Sequence, residues 1–358
     1  MSELKVYKNP LNKKSPKIKK LFIAGVGAVG NTLLKQVSRY GTEKSLRVLG
    51  VCNSNHLLWY DRVQSSYSLR DLLRAPGLDW ESVFQKLTAY EKGSVVFVDT
   101  TGSLEITKIY LRLLENHIHV VTPSKLANTQ NQEQFDILHR VAAENGVDFL
   151  YETNVGAGLP IISSIKSLIQ TGDEILELSG VLSGTMTYLF SELDKGSTFS
   201  ETVLKARRLG YAEPDPRDDL SGEDVARKFM ILARICGHKI ERDQLQVESL
   251  IPKELRDVDS TTFLEKLHEY DIEWKQKCEE AALENQALRY VGRYYKGKVT
   301  IGIQAVPNSS TMGQLKGTTN LISIRSRRYN DQPLVIQGPG AGKEVTAAGV
   351  MSDLLSIR

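Results

Sequence analysis

Short apolar runs alternate with segments of helical hydrophobic spacing over the first 150 residues. The runs predict strands at residues 18–24, 47–52, 94–98, 118–121 and 147–151. The helical spacing predicts helices from near residue 28, over 103–116 and over 131–145. Strands that alternate with helices in this way indicate a parallel sheet with helices on its faces. The predicted fold class is therefore α/β, with a Rossmann-like dinucleotide-binding domain at its start.

The pattern changes at about residue 153. Strands with two-sided alternation are predicted at residues 175–182, 287–295, 298–305 and 321–327, and helices at 186–193, 225–236 and 261–284. This part predicts an inserted α+β domain with an antiparallel or mixed sheet. A strand at 333–336, a glycine turn and a last helix then predict a return to the first domain. The predicted units are a tail at 1–16, a dinucleotide-binding domain at 17–152 plus 333–358, and the insert at 153–332.

The first predicted strand opens directly into a glycine turn. The turn reads Gly25-Val26-Gly27-Ala28-Val29-Gly30. Strand, turn and helix form the context that a G-x-G-x-x-G pattern needs in order to indicate dinucleotide binding. Its glycines allow a tight turn, close approach of a pyrophosphate, and close packing of helix on strand. The phosphates are expected at the N-terminus of the helix that begins near Ala28.

The end of the second predicted strand leaves the choice between NAD and NADP open. The residues there are Asn53, Ser54, Asn55 and His56. They include no carboxylate that would exclude a 2′-phosphate, and the nearest arginine that could bind one is Arg62.

Two polar loops follow the third and fourth predicted strands. They read Asp99-Thr100-Thr101-Gly102 and Thr122-Pro123-Ser124-Lys125. Ligands of open parallel sheets bind beyond the carboxyl ends of the strands, so both loops are candidates for the nicotinamide end of a cleft. Lys125 has two interpretations at this point, as an ordinary surface lysine or as a functional cation.

A second glycine turn spans residues 152–160, ETNVGAGLP. Its default interpretation is a structural corner between a strand and a helix. An acidic residue followed by exposed backbone carbonyls is also a way in which proteins bind hard cations through oxygen ligands. The residues alone leave both interpretations open.

The densest chemistry lies in residues 206–228, ARRLGYAEPDPRDDLSGEDVARK. Acidic loops of this kind are usually just solvated. Here, however, Ser221 is placed to cap a helix whose apolar positions follow at helical spacing. Asp224 and Lys228 are four residues apart and share one face of that helix. The pattern therefore predicts a lysine and an aspartate held at the edge of a core.

Charge and cysteine content exclude several classes of protein. The 358 residues have a net charge of +3, but the first twenty contain seven lysines against Glu3 alone, so the basic character belongs to the tail. Cys52, Cys236 and Cys278 are far apart, which fits a reducing compartment. No apolar run approaches the roughly 20 residues of a membrane span. We expect a cytoplasmic protein with neither a nucleic-acid nor a membrane partner.

From about residue 18 to its C-terminus the chain resembles homoserine dehydrogenase in its short monofunctional form. The most specific match is Ala206, Gly210-Tyr211-Ala212, Glu213-Pro214-Asp215-Pro216, Asp218-Asp219-Leu220, Gly222, Asp224 and Lys228. Supporting matches are Gly25 to Gly30, Thr122 to Lys125, Asn154 to Pro160, Ser183-Gly184-Thr185 and Gly338 to Gly342.

The resemblance implies reversible, NAD(P)-dependent reduction of L-aspartate 4-semialdehyde to L-homoserine, a step in threonine, methionine and isoleucine biosynthesis. Lys228 would be the acid/base, Lys125 would assist and orient, and Asp224 would bind the substrate hydroxyl or its lysine partner. The substrate-binding residues implied are Glu213, for the ammonium group, with Gly184, Thr185, Tyr211 and Asp219. The cofactor contacts implied are the turn Gly25 to Gly30, Thr101, Pro123, Lys125 and Gly340.

Further implications concern ions, assembly and regulation. The family's monovalent-cation site, for Na⁺ or K⁺, maps onto Glu152 with the backbone of Val155, Ala157 and Leu159. The insert would bind the amino-acid substrate and form a homodimer. With no kinase or regulatory module in the sequence, feedback inhibition by threonine is not expected. One departure is Ser124 where the family usually has Asn, which puts the hydrogen bonding around Lys125 in question.

Two rival functions can be weighed against the residues. An aldehyde-oxidising, acylating dehydrogenase needs a thiolate nucleophile, and none of the three cysteines follows a catalytic-looking turn. A catalytically inactive NAD(P)-binding regulator of the same fold would have no need of the acid/base residues. Retention of Lys125, Glu213, Asp224 and Lys228 together argues against that alternative.

Overall fold

The computed structural model describes residues 18–41, 43–60 and 69–357. The predicted basic tail and Arg62 lie outside the described residues. The strands are β1 (Lys19–Ala24), β2 (Leu46–Cys52), β3 (Leu57–Trp59), β4 (Val95–Asp99), β5 (His119–Val121), β6 (Phe149–Leu150), β7 (Ile175–Val181), β8 (Gln246–Val247), β9 (Gln286–Tyr295), β10 (Lys298–Pro307), β11 (Thr319–Ser326) and β12 (Leu334–Pro339).

Helices separate most of these strands. They are α1 (Ala28–Tyr40), α2 (Leu69–Leu72), α3 (Trp80–Thr88), α4 (Leu104–Thr107), α5 (Tyr110–Glu115), α6 (Gln132–Glu144), α7 (Ile161–Gln170), α8 (Gly184–Leu193), α9 (Phe199–Arg208), α10 (Arg217–Leu220), α11 (Glu223–Ile235), α12 (Ser260–Lys266), α13 (Asp271–Leu283) and α14 (Lys343–Ser356). The helix predicted over 103–116 is divided into α4 and α5. No helix in the described ranges has the length and apolarity needed to cross a membrane.

The first sheet has the order β3-β2-β1-β4-β5-β6. Its strands pair in parallel, except that β3 runs antiparallel to β2 at the edge. Alternate residues of β1 enter different cores, because Leu21 and Ile23 pack with α1 and α14 whereas Phe22 packs with α5 and α6. Both faces are thus covered, which explains why these strands read as continuous apolar runs. The predicted α/β fold with a Rossmann-like domain is confirmed.

The second sheet has the order β12-β11-β7-β9-β10-β8 and is mixed, as predicted for this part of the chain. All neighbours are antiparallel except β10 and β8. Helices α8, α11 and α13 contact β9 and bury one face of the sheet. The opposite face carries an ion-pair cluster in which Glu177 binds Arg293 and Arg325.

The end of the chain differs from the predicted domain boundary at residue 333. Strand β12 pairs antiparallel with β11, so it completes the second sheet. Only α14 returns to the first sheet, where it packs on α1. A short connection between two strands favours a hairpin between them, and periodicity does not show which sheet a strand joins.

Candidate active site

The first glycine turn has the geometry that its sequence predicts. Gly25 has a φ of 90°, in the left-handed region that favours glycine. A Cβ on Gly30 would lie 2.1 Å from the carbonyl oxygen of Gly25, so α1 approaches the strand too closely for any other residue. A Cβ on Gly27 would meet nothing within 4 Å. The N-terminus of α1 therefore faces open space in which a phosphate can bind its N–H groups.

An open cleft of about 420 Å³ runs from this turn to the second domain. It is lined by Val29, Thr100, Thr101, Gly102, Pro123, Ser124, Lys125, Leu126, Asp224 and Arg227. The cleft thus joins predicted cofactor residues to predicted catalytic residues that lie a hundred positions away in the sequence. Gly340 does not line it, and its backbone packs instead against the buried amide of Asn320. A different cavity, between α9, α13 and β9, holds none of the predicted site residues.

Two lysines share one carboxylate on the second-domain side of the cleft. Asp224 Oδ2 lies 2.7 Å from Lys228 Nζ, and Asp224 Oδ1 lies 3.2 Å from Lys125 Nζ. Lys228 Nζ also donates a hydrogen bond of 2.7 Å to the carbonyl oxygen of Leu182. The structure therefore brings the three predicted catalytic residues together. Leu182 was not predicted, because a backbone carbonyl leaves no trace in the sequence.

The environment shifts the ionisation of this cluster. The protein around Asp224 would by itself raise its pKa, but the ammonium groups of Lys228 and Lys125 outweigh this effect and hold the pKa well below its ordinary value. Burial lowers the pKa of Lys125, and Asp224 only partly offsets it. Asp224 is hence an anion throughout the neutral range, and the protons available for transfer are those of the lysines.

Helix α11 positions Asp224 and Lys228, but its start differs from the prediction. The N-cap position is Gly222, with a φ of 76°, although the Ser221 hydroxyl accepts from the backbone N–H of Glu223 at 3.3 Å. A Cβ on Gly222 would lie 2.0 Å from the hydroxyl oxygen of Tyr290, so packing as well as conformation requires glycine. The apolar side of the helix is buried in the second-domain core, and Lys228 itself is only 8% exposed. Burial of its stem fixes the direction of the ammonium group.

A buried amide network holds the loop that carries Lys125. Asn154 Nδ2 donates to the carbonyl oxygens of Thr122 (3.1 Å) and Ser124 (3.2 Å), and Asn128 Nδ2 donates to Asn154 Oδ1 (2.9 Å). Asn154 lies in the second glycine turn, so this turn supports the catalytic loop. The Ser124 backbone N–H donates to Thr122 Oγ1 at 3.0 Å. These bonds hold the loop by its backbone, and the Ser124 hydroxyl itself accepts from the backbone N–H of Leu126 at 3.4 Å.

Buried Asp99 has the same role for the neighbouring loop. Its Oδ1 accepts from the backbone N–H of Thr101 at 2.7 Å, and its Oδ2 accepts from the hydroxyl of Tyr110 at 2.5 Å. Burial raises the pKa of this carboxyl group, against the effect of its hydrogen bonds. This supporting role of Asp99 was not predicted, and its only sign in the sequence is an aspartate at the end of an apolar strand.

The predicted substrate residues meet at the start of α8. Thr185 Oγ1 lies 2.8 Å from Asp219 Oδ1 and 2.5 Å from the carbonyl oxygen of Tyr211. Asp219 Oδ2 accepts from the backbone N–H of Glu213 at 2.8 Å. Gly184 is the first residue of α8. Both oxygens of Asp219 thus organise the loop, whereas the Glu213 carboxylate is exposed and bonds to none of the described residues.

The second glycine turn caps helix α7 and also presents buried backbone carbonyl oxygens. Glu152 caps α7, because its carboxylate accepts from the N–H groups of Ile162 (2.8 Å) and Ser163 (2.7 Å). Val155 and Ala157 are buried, and their carbonyl oxygens accept no hydrogen bond from the described residues. Within the described ranges there is no His, Cys, Asp or Glu cluster suited to a metal ion. Any cation here would be held by backbone oxygens rather than by the Glu152 side chain.

Comparison with known proteins matches the sequence of this chain to one family. The model of the homoserine dehydrogenase family matches residues 160–355, and that of the homoserine dehydrogenase NAD-binding domain matches residues 25–152. The homoserine dehydrogenase of Saccharomyces cerevisiae is 39% identical, over 96% of this chain and 99% of that protein. The chain belongs to the homoserine dehydrogenase family.

Other members of the homoserine dehydrogenase family are longer. The chain is 39% identical to the chloroplastic bifunctional aspartokinase/homoserine dehydrogenase 1 of Arabidopsis thaliana, but it spans only 38% of that protein. Among solved structures, a Candida auris protein of unknown function has a TM-score of 0.87 at 35% identity, covering 95% of this chain and 98% of that one. An Archaeoglobus fulgidus putative homoserine dehydrogenase, at 23% identity and a TM-score of 0.76, shares the fold over 95% of this chain and 99% of that one.

Proposed function

We propose that the protein catalyses the reversible, NAD(P)-dependent reduction of L-aspartate 4-semialdehyde to L-homoserine. The observation that carries this proposal is the Lys125–Asp224–Lys228 cluster on the wall of the cleft that begins at the glycine turn. It supplies a proton donor beside the expected nicotinamide end of that cleft. An inactive regulator would have no use for two lysines held in this way.

Lys228 is the proposed proton donor. An ammonium group has three N–H donors, and two of those of Lys228 are directed to Asp224 and Leu182. The third is available to the aldehyde oxygen of the substrate. When bound, the reduced nicotinamide supplies the hydride that adds to the aldehyde carbon, while Lys228 gives its proton to the oxygen to form the alcohol. In the reverse direction neutral Lys228 accepts the hydroxyl proton.

Asp224 and Lys125 prepare this step. Asp224 holds both ammonium groups on one side of the reacting oxygen, and the positive charge there stabilises the developing alkoxide. Lys125, with its lowered pKa, orients the carbonyl and is itself held by Asp224 at 3.2 Å.

Glu213 is the proposed partner of the substrate ammonium. Its backbone is fixed by Asp219, and its carboxylate remains free among the described residues. An exposed carboxylate at a rigid turn is suited to bind an ammonium group through charge-assisted hydrogen bonds. Thr185, Tyr211 and Gly184 are the further residues proposed for the substrate, because Asp219 joins Thr185 to the backbone of Glu213.

A monovalent cation, Na⁺ or K⁺, is proposed at the turn of residues 152–160. The buried carbonyl oxygens of Val155 and Ala157, which accept no hydrogen bond within the described part of the chain, fit a hard cation, with the carbonyls of Glu152 and Leu159 as further ligands. The cation would supply rigidity, since Asn154 of the same turn supports the Lys125 loop. Replacing all Na⁺ and K⁺ by tetramethylammonium should lower the thermal midpoint, and an unchanged midpoint would count against the site.

Assembly, location and cofactor choice complete the proposal. We propose a homodimer formed through the sheet face that carries Glu177, Arg293 and Arg325, in a cytoplasmic enzyme. Light scattering after gel filtration should give twice the mass of one chain.

Either NAD or NADP serves as the cofactor, because the residues after β2 favour neither of them.

A single assay tests the proposed reaction. Purified protein should oxidise NADH or NADPH in the presence of L-aspartate 4-semialdehyde, and should reduce NAD⁺ or NADP⁺ with L-homoserine. Bound cofactor without turnover in either direction would instead support the inactive regulator. Comparing both cofactors in both directions also decides the cofactor preference.

A further inference from the structure

The cleft contains more positive charge than its acidic groups balance. Asp224 is the carboxylate that lines it, whereas Lys125 and Arg227 are both part of its wall and Lys228 lies directly behind. Asp224 is already shared by the two lysines. A site with this excess of cations is complementary to an anionic ligand.

Arg227 is the cation without an assigned role. It is exposed on α11, and its guanidinium forms no ion pair or hydrogen bond with the described residues. Glu223, one helical turn before Arg227, is paired with Arg242 at 2.8 Å. The five donors of Arg227 are therefore available to a ligand in the cleft.

The position of Arg227 indicates which kind of anion it binds. It shares the cleft with Val29 of α1 and with Thr101 and Gly102 of the β4 loop. These residues surround the place where the N-terminus of α1 is expected to bind phosphate. The proposed substrate residues Glu213 and Thr185 do not line this cleft, and neither do the residues after β2, where an NADP 2′-phosphate would lie.

We propose that Arg227 binds the diphosphate of the dinucleotide from the second-domain side of the cleft. The inference rests on the proposed NAD(P)-dependent function. Arg227 lines the same cleft as Val29 of the glycine turn, and a guanidinium fork matches phosphate oxygens in geometry and charge. Because Asp224 and Lys228 belong to the same helix, this contact also ties the proton donor to the bound cofactor. The diphosphate would thus be held by both domains.

The test is cofactor binding by Arg227 variants of the full-length chain, measured by titration calorimetry with NADH and with NADPH. Arg227→Gln should raise the Kd of both by about tenfold, the lower end of what a charge-assisted hydrogen bond contributes. Arg227→Lys should fall between this variant and wild type, because it keeps the charge but not the fork. The difference in cofactor Kd between Arg227→Gln and wild type should become smaller at high ionic strength. KM for the aldehyde at saturating cofactor should stay unchanged.

Arg140→Gln is the matched control. Arg140 is an exposed arginine on α6 outside the cleft, whose ion pair with Glu144 at 3.9 Å contributes little. This variant removes the same charge and should bind both cofactors like wild type. Wild-type protein that binds neither cofactor would refute the proposed function itself, and that outcome is visible before any variant is made.

Three results would overturn the inference on Arg227. Equal cofactor affinity in Arg227→Gln and wild type would show that the guanidinium does not reach the diphosphate. A loss confined to NADPH would assign Arg227 to the 2′-phosphate. A raised KM for the aldehyde with unchanged cofactor Kd would assign it to the substrate carboxylate.

Discussion

Replacement of Lys228 by Met tests the proposed proton donor with little change in packing. The stem of Lys228 is buried, and Met fills a similar volume with an unbranched apolar chain. The variant removes one N–H from the substrate oxygen and one from the carbonyl of Leu182, which lies 2.7 Å away. A positioned proton donor contributes about 10² to 10⁴ in rate, which corresponds to about 3–5 kcal/mol in the activation barrier.

The expected result is a fall in kcat of that size in both directions, with cofactor Kd within about twofold of wild type. The orphaned carbonyl of Leu182 should also lower the unfolding free energy by about 1–3 kcal/mol. Steady-state rates follow from loss of dihydronicotinamide absorbance, and cofactor affinity from calorimetry. Lys125→Met is the companion variant. Near-normal kcat in Lys228→Met, together with a large loss in Lys125→Met, would refute the assignment and make Lys125 the donor.

Three more predictions follow from the site. Asp224→Asn removes the charge that raises the pKa of Lys125, so the alkaline limb of the pH profile for aldehyde reduction should move to lower pH. An unmoved limb would show that Lys125 takes no part in the proton transfer. Glu213→Gln should raise KM for homoserine about tenfold or more at little cost in kcat. Asp218→Asn, at a neighbouring exposed carboxylate, should leave KM unchanged. A KM in Glu213→Gln equal to that of wild type would contradict the ammonium contact. Gly30→Ala should lower the unfolding free energy by about 1–3 kcal/mol through overpacking. Gly27→Ala should leave the unfolding free energy unchanged and weaken NADH binding. A Gly27→Ala variant less stable than Gly30→Ala would show that the turn is built differently.

Much of the fold and of the catalytic centre could be predicted because the relevant signals are local. The strand, glycine turn and helix at residues 18–40 follow one another in the sequence, and the four-residue spacing of Asp224 and Lys228 places them on one helical face. The position of Lys125 beside them was expected only from the resemblance. A hundred residues separate Lys125 from Asp224, and spacing carries no information over that distance.

The remaining differences have identifiable physical causes. Ser221 has the chemistry of a helix cap, but the adjacent Gly222 adopts the left-handed conformation and α11 begins one residue later than a serine cap requires. The apolar run of β12 is compatible with either sheet, and its pairing with β11 depends on a hairpin that hydrophobic spacing does not show. The support that Asn154 gives to the Lys125 loop passes through backbone carbonyls, which every residue has.

The return of α14 to the first sheet means that the chain crosses between the two domains twice. The two crossing segments touch, because a Cβ on Gly158 would lie 2.5 Å from the carbonyl oxygen of Val345 and one on Gly349 would lie 2.3 Å from the methyl group of Thr153. Both ends of the second domain are therefore anchored at one place on the first domain. Because Asp224 and Lys228 belong to the same helix, any opening of the cleft would move them together away from the glycine turn, and closure would bring them back together.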